Sequence, residues 1–230
     1  MKQLSMRNYG LLALAALVGS LLVVSVAFAA VTPKPKLSFF KGGGATIGWT
    51  TVGGSGPHDT TGNIDSIQID TLTSGVSFAG AYTWGKDEAA NSIVGRSLAE
   101  VQRLGFDSKG YLGAGAPRIS LITHDTNTNF DHTFFLAASY CNAGADPSAW
   151  VTSDFINDAD CVIWGPNGAN AGWSTVVANF PNDVVTDWFL IVDEAPATTY
   201  VDSLTVQDFG WVRSGANGIV KCQVNLGCTN

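Results

Sequence analysis

The stretch Thr199-Tyr-Val-Asp-Ser-Leu-Thr-Val-Gln-Asp208 decides the fold, because it carries the clearest strand pattern in the chain. Its apolar and polar side chains alternate, with Tyr200, Leu204 and Val206 on one face and Ser203, Thr205 and Gln207 on the other. This period of two is typical of a β-strand with one buried face. Asp202 shares the parity of the apolar set. We therefore expect its carboxylate to point towards the core or its rim, where it needs a cation or several N–H donors.

Other short segments follow one another along the chain, separated by turn residues and without a long amphipathic helix. We assign strands to residues 37–40, 45–51, 67–70, 76–84, 118–124, 133–140 and 184–193. Gly80 marks a bulge or the close approach of another backbone. Residues 97–104 permit a short helix but favour a strand entering near Val101, and residues 173–182 fit a short helix or turn. The predicted class is all-β: an antiparallel jelly-roll-type β-sandwich of roughly eight to ten strands with little helix.

Three segments resemble parts of known secreted domains. SLAEVQRLGFDSKG (97–110) and GAPRISLITHD (115–125) resemble a recurring stretch of secreted bacterial sandwich domains, and WSTVVANFPN (173–182) is similar to a segment found in them. The closing strand with its Asp202 resembles the last strand of secreted jelly-roll domains, many of which are carbohydrate-binding modules. The resemblance implies the sandwich fold. It also implies Asp202 as a ligand of a structural calcium ion.

The N-terminal 29 residues have the composition of a signal peptide. Two cations precede an apolar run, and Ala27-Phe28-Ala29 fits the small-x-small cleavage rule. We expect cleavage after Ala29; the alternatives are an uncleaved membrane anchor and a pilin-type leader cut after Gly10. The rest is predicted to be a linker (30–36), one β-sandwich domain (37–213) and a disulfide-closed tail (214–230).

The charge balance limits the class of partner. The chain carries a formal net charge of −7, and removal of residues 1–29, with two cations and no anion, makes it −9. This acidity argues against nucleic acid and anionic lipid as partners, and we expect no membrane association after signal cleavage. A charged fraction of only 13% with 26 Gly suits an extracellular all-β protein. The predicted location is therefore secreted or cell-surface.

Four cysteines lie in the exported part of the chain. An even number of cysteines in an oxidising compartment predicts two disulfides, with three possible connectivities. We favour Cys141–Cys161 and Cys222–Cys228, because each closes a short loop between candidate neighbours. No pair has the spacing of a zinc site.

The turn at residues 125–131 has an oxygen donor at every second position. These donors are Asp125, Asn127, Asn129 and Asp131. Such a loop can wrap around Ca²⁺, which takes six to eight oxygen ligands. It resembles the first half of an EF-hand loop but has Phe130 where that loop has Gly, and it lacks the distal Glu. The alternative is a hairpin turn whose side chains bond local N–H groups. Calcium at this turn and at Asp202 is the one cofactor predicted.

Three tryptophans lie in an irregular region rich in Asn and Gly: Trp150, Trp164 and Trp173. Sugar-binding sandwiches stack exposed aromatic rings on pyranose faces, and these three are the best candidates for such a platform. The alternative is that they pin a long loop onto the sandwich. Trp49, Trp84 and Trp188 lie on strand faces and are assigned to the core.

Catalytic motifs are weak. With three Glu in the chain, no strand carries the paired carboxylates of a glycosidase. A lyase-like set is conceivable from the hairpin residues Arg118, His124, His132 and Tyr140. The sequence therefore favours a non-enzymatic secreted sandwich that binds a carbohydrate or surface glycan. The alternatives are a structural or adhesive surface protein that self-assembles by strand addition through residues 31–40, and a polysaccharide lyase or glycosidase.

Overall fold

The computed structural model describes residues 37–59, 64–72, 76–83, 93–113, 115–194, 196–207, 209–213 and 219–223. The predicted signal peptide, the linker, Trp84 and the side chains of the Cys222–Cys228 pair lie outside this description. No helix in the described ranges has the length and apolar character needed to cross a membrane.

Strands dominate the described part of the chain. They are β1 (Leu37–Gly42), β2 (Thr46–Thr50), β3 (Ser66–Thr71), β4 (Phe78–Thr83), β5 (Leu104–Gly110), β6 (Arg118–Asp125), β7 (Phe130–Ala137), β8 (Val151–Asp154), β9 (Val162–Gly165), β10 (Gly168–Ala171), β11 (Asp183–Val192), β12 (Ala197–Val206), β13 (Phe209–Arg213) and β14 (Ile219–Gln223). A 3₁₀ helix (Leu98–Glu100) and the helices α1 (Ala138–Cys141) and α2 (Gly172–Asn179) join them.

The strands form two antiparallel sheets. The first sheet has the order β1-β4-β11-β6-β7-β9-β10. In the second sheet, β12 pairs with β3 and β13 along one edge and with β5 along the other, and β2, β14 and β8 extend it. The predicted all-β class, with two antiparallel sheets and little helix, is confirmed. The jelly-roll connection order stays a prediction.

The core lies between the two sheets. Trp188 on β11 and Trp211 on β13 are fully buried, with ring centroids 5.9 Å apart. On β7, Phe134 and Leu136 are buried, whereas Phe135 between them is 39% exposed. β7 is a central strand, as its apolar sequence predicts, but its outer face is open. That outer face of the first sheet carries the candidate site.

The closing strand β12 changes phase at Ser203. The residue has a positive φ of 48°, and the pairing with β5 shifts between Asp202 and Thr205. Such a bulge inserts one extra residue, so the side chains after it exchange faces. Val201 joins the core before the bulge, and Leu204 and Val206 join it after the bulge. The predicted common face of Tyr200, Leu204 and Val206 is therefore wrong.

The structure also shows the conformation of residues 97–104 and the surroundings of Gly80. The segment 97–104 holds the 3₁₀ helix, capped by the Glu100 carboxylate, which accepts hydrogen bonds from the Ser97 N–H and hydroxyl. The strand begins at Leu104 rather than near Val101. Gly80 does mark a close approach, because a Cβ there would lie 1.9 Å from the Leu190 carbonyl oxygen.

Candidate functional site: an aromatic cleft

The three predicted platform tryptophans lie in different environments. Trp164 on β9 is 44% exposed, whereas Trp173 on α2 is only 6% exposed and belongs to the core. Trp150 is half-buried, with its Nε1 4.0 Å from the Cβ position of Gly54. The expected exposure of Trp173 is wrong, because α2 packs Trp173 and Val176, three residues apart, on the same buried face. Trp164 alone among them presents an open ring.

Trp164 forms one wall of a cleft on the outer face of the first sheet. Its cross-strand partner is Phe135 on β7. The Tyr140 ring on α1 lies 6.3 Å from the Trp164 ring, centroid to centroid. The aromatic cleft has a volume of about 330 Å³ and is lined by Trp164, Phe135, Tyr140, Arg118, Gly115 and Glu194. It is an open, shallow space with rings on two sides.

Arg118 lies at the floor of the aromatic cleft in a fixed position. Its Nη1 and Nη2 donate to the two carboxylate oxygens of Asp193, at 2.6 Å and 2.5 Å. The guanidinium carbon lies 5.2 Å from the Phe135 ring centroid, and Nη1 also donates to the Gly115 carbonyl. A bidentate pair of this kind holds both groups in one plane. Arg118 therefore lines the cleft as a rigid guanidinium whose charge is compensated by Asp193.

The disulfide between Cys141 and Cys161 positions two of the cleft rings. The predicted pairing is present. Cys141 directly follows Tyr140, and Cys161 directly precedes β9, which carries Trp164. The covalent bond therefore ties the short helix α1 to the strand β9 beside it. The segment between the two cysteines is closed by this bond, as the sequence indicates, but it contains the strand β8.

A second aromatic group lies on the same outer face. We call it the Phe189 cluster, and it consists of Phe40, Phe78, Tyr82 and Phe189. The Phe40 ring lies 5.6 Å from Tyr82 and 6.0 Å from Phe189, in edge-to-face contact. Asp187 borders a groove of about 330 Å³ there.

The predicted calcium turn is held by its own hydrogen bonds. Asp125 Oδ1 accepts from the N–H groups of Asn127 at 2.7 Å and Thr128 at 3.2 Å, and these bonds lower the pKa of Asp125. Asp131 Oδ1 lies 2.8 Å from His124 Nδ1. Over the described ranges, no three His, Cys, Asp or Glu side chains gather in a way that could hold a metal ion. Calcium stays a prediction at this turn.

Asp202 is buried on the other side of its sheet from the core. Its carboxylate accepts hydrogen bonds from the Gly56 N–H at 2.8 Å and from its neighbour Ser203 at 2.7 Å. Burial raises the pKa of Asp202 to about 7, the two N–H donors oppose this rise, and the charges of Asp59 and Asp107 add to it. The segment 51–59, which we call the 51–59 loop, covers the carboxylate. The expected core-facing orientation is wrong because the phase changes at the bulge, whereas the expected N–H donors are present.

The residues of the lyase-like set are not assembled. Arg118 and Tyr140 share the aromatic cleft, but His124 lies six residues along β6 from Arg118, which separates them by about 20 Å. His132 points inward, with its Nδ1 2.9 Å from Asp183 Oδ2. Sequence reasoning missed the roles of Phe135 and Asp193. Both faces of β7 are apolar in sequence, so nothing marked Phe135 as exposed.

Fold and site together define the chain as an all-β sandwich of two antiparallel sheets with a disulfide-braced aromatic cleft on one outer face. No family model matches the chain, and no curated protein and no solved structure is significantly similar to it.

Proposed function

We propose that the protein binds carbohydrate through the aromatic cleft. The observation that carries this proposal is an open cleft in which an exposed Trp164 ring lies beside Tyr140 and Arg118, with Arg118 held in place by Asp193. Sugars have apolar ring faces edged with hydroxyl groups. The cleft supplies both complementary elements, since the aromatic rings cover an apolar face and the paired ions exchange hydrogen bonds with hydroxyls.

The rigidity of the cleft supports the proposal. Side chains that are already fixed lose little conformational entropy when a ligand binds. Arg118 is held by two carboxylate oxygens and stacked on Phe135, and Tyr140 is held by the adjacent disulfide. Wide exposure of apolar rings on a single face also marks interaction sites in soluble domains.

A glycan array with the purified mature protein tests the proposal. We expect binding that Trp164→Ala weakens by about tenfold or more, because central aromatic anchors carry most of the energy of such sites. Phe130→Ala is the matched control. Phe130 is 68% exposed and lies on the same strand as Phe135, but at the opposite end. Equal losses in the two variants, or an array without hits, would refute the cleft as a glycan site.

A secreted or cell-surface location is part of the same proposal. The Cys141–Cys161 bond supports it, because such disulfides persist in oxidising compartments. N-terminal sequencing of the protein recovered from the medium and from the cell surface tests it. The expected N-terminus is Ala30, and a product found only in the reducing cytosol contradicts the proposal.

Self-assembly by strand addition is a second candidate function. β1 contains residues 37–40 of the segment proposed for exchange, and it is an edge strand, pairing with β4 on one side in the described sheet. An edge strand can be replaced by the same strand of another copy. Size-exclusion chromatography and negative-stain imaging of the mature protein test this. Filaments that persist without glycan support it, and a monomer at high concentration contradicts it.

A further inference from the structure

The aromatic cleft and the Phe189 cluster lie on one level across the first sheet. Trp164 pairs with Phe135, Phe135 with Ser120, and Ser120 with Phe189. Leu190 pairs with Ala81 on the antiparallel strand β4. One step back along β11 and one step forward along β4 therefore place Phe189 beside Tyr82. Facing positions on paired strands lie side by side. These five residues therefore form a row perpendicular to the strands, which we call the cross-strand row.

The row has one small member, Ser120, at its centre. Ser120 is 1% exposed although it points outward, which is the effect of the larger rings of Phe189 and Phe135 on either side. Its hydroxyl has no hydrogen-bond partner among the residues that the structure describes. Because the rings cover this hydroxyl, a ligand that lies along the row contacts the rings on either side of Ser120. The row thus has aromatic rings on both sides of a small, covered central position.

The charges beside the row favour an uncharged ligand. Arg118 is compensated by Asp193. Glu194 lines the aromatic cleft, and Asp187 borders the groove of the Phe189 cluster. Both ends of the row therefore carry a carboxylate, and the whole chain has a net charge of −7. An acidic sugar would meet like charges at both ends.

We infer that the ligand is a neutral, linear glycan that crosses the strands and occupies the aromatic cleft and the Phe189 cluster together. This inference rests on the proposed function. From β4 to β9 the row spans four strand spacings, or about 19 Å, which is several times the length of one sugar ring. A single sugar unit fills one end of the row, whereas a chain gains contacts at both.

A chain-length series tests the inference. The probes are β-1,4-linked glucan, mannan and xylan oligosaccharides from the disaccharide to the hexasaccharide, measured by calorimetry. We expect affinity to rise with length by about tenfold or more before it levels off. Phe189→Ala should remove this rise with length, whereas Trp164→Ala should weaken the binding of every length. Phe40→Ala provides a second variant at the edge strand if Phe189→Ala does not fold, and Phe130→Ala is the control.

A charge comparison separates this inference from the proposed function. The probes are the neutral oligosaccharides and polyuronic acid oligosaccharides of the same length. We expect the neutral chains to bind at least about tenfold more tightly, and Glu194→Gln to reduce the difference. Affinity that is independent of length, or tighter binding of the acidic chains, overturns the inference while Trp164-dependent binding still supports the cleft. Absence of binding to all of these chains overturns the inference, and an empty glycan array overturns the cleft as well.

Discussion

Asp202 on β12 lies directly opposite Asp107 on β5, and both carboxylates are buried beneath the 51–59 loop. The loop closes over them through its own N–H groups, from Gly56 to Asp202 and from His58 to Asp107 at 2.9 Å. A Cβ at Gly56 would lie 2.6 Å from Asp107 Oδ2, so only glycine allows this approach. Two neighbouring buried carboxylates repel each other when both are ionised.

Stability should therefore fall as the pH rises. The pKa of Asp202 is raised to about 7 in the folded state, so its protonated form is the one that folding favours. The stabilisation by protonated Asp202 is fully present below the pKa of about 4 that this carboxyl has in the unfolded chain. It is lost as the pH rises towards 7, which lowers the free energy of unfolding by about 2–4 kcal/mol. Asp202→Asn, which resembles the protonated acid, should flatten this part of the curve in urea unfolding at pH 5 and pH 8. Asp70→Asn on the same sheet is the control. If the unfolding free energy of Asp202→Asn falls with pH as steeply as that of the unchanged protein, Asp202 is not the group responsible.

Reduction of the Cys141–Cys161 disulfide should weaken both stability and ligand binding. The two cysteines are 20 residues apart, and a loop of this length corresponds to about 3 kcal/mol of unfolding free energy. Loss of the bond also frees Tyr140 from Trp164, so affinity should fall more than stability alone explains. The measurement is thermal melting and glycan binding of a Cys141→Ser/Cys161→Ser variant. Cys222→Ser/Cys228→Ser is the matched control. Full binding by the first variant would show that the cleft does not depend on the Cys141–Cys161 disulfide.

Gly80→Ala should destabilise the first sheet. The added Cβ would lie 1.9 Å from the Leu190 carbonyl oxygen and 2.6 Å from the Phe40 ring, and the backbone contact has no room to relax. We expect a loss of about 3 kcal/mol in unfolding free energy. Gly48→Ala on β2 is the matched control, because nothing lies within 4 Å of its Cβ position. A similar small change in both variants contradicts the close packing of β4 against β11.

If calcium binds at either predicted site, the melting temperature should be higher in calcium than in EDTA, because a ligand that binds the native state stabilises that state. Asp125→Asn should abolish the increase if the ion lies at the turn, and Asp202→Asn should abolish it if the ion lies under the 51–59 loop. Equal melting temperatures in the two solutions contradict both predictions. Asp70→Asn again serves as the control for loss of one carboxylate.

The local patterns predicted the position of most of the longer strands, because alternation and turn residues act over a few positions. They missed β8, β9 and β10 in the region predicted to be irregular, and residues 138–140 of one predicted strand lie in α1. They failed where a longer-range contact decides the outcome. The bulge at Ser203 reversed the face of Asp202, and only the spacing of three between Val201 and Leu204 hinted at it. Trp164 and Trp173 have similar polar surroundings in sequence, but one lies outward on a strand and the other inward on a helix. No spacing rule could show that Asp193, just beyond the end of β11, would reach Arg118 on the neighbouring strand β6.

The position of the Cys141–Cys161 bond has a consequence for the timing of activity. The bond ties the helix that carries Tyr140 to the strand that carries Trp164, so oxidation of the two thiols fixes the placement of both rings. If the cleft binds glycans as proposed, a reduced chain should therefore bind them more weakly than the oxidised protein. Under the proposed function and location, full affinity for glycans would be reached only after the chain has left the reducing cytosol.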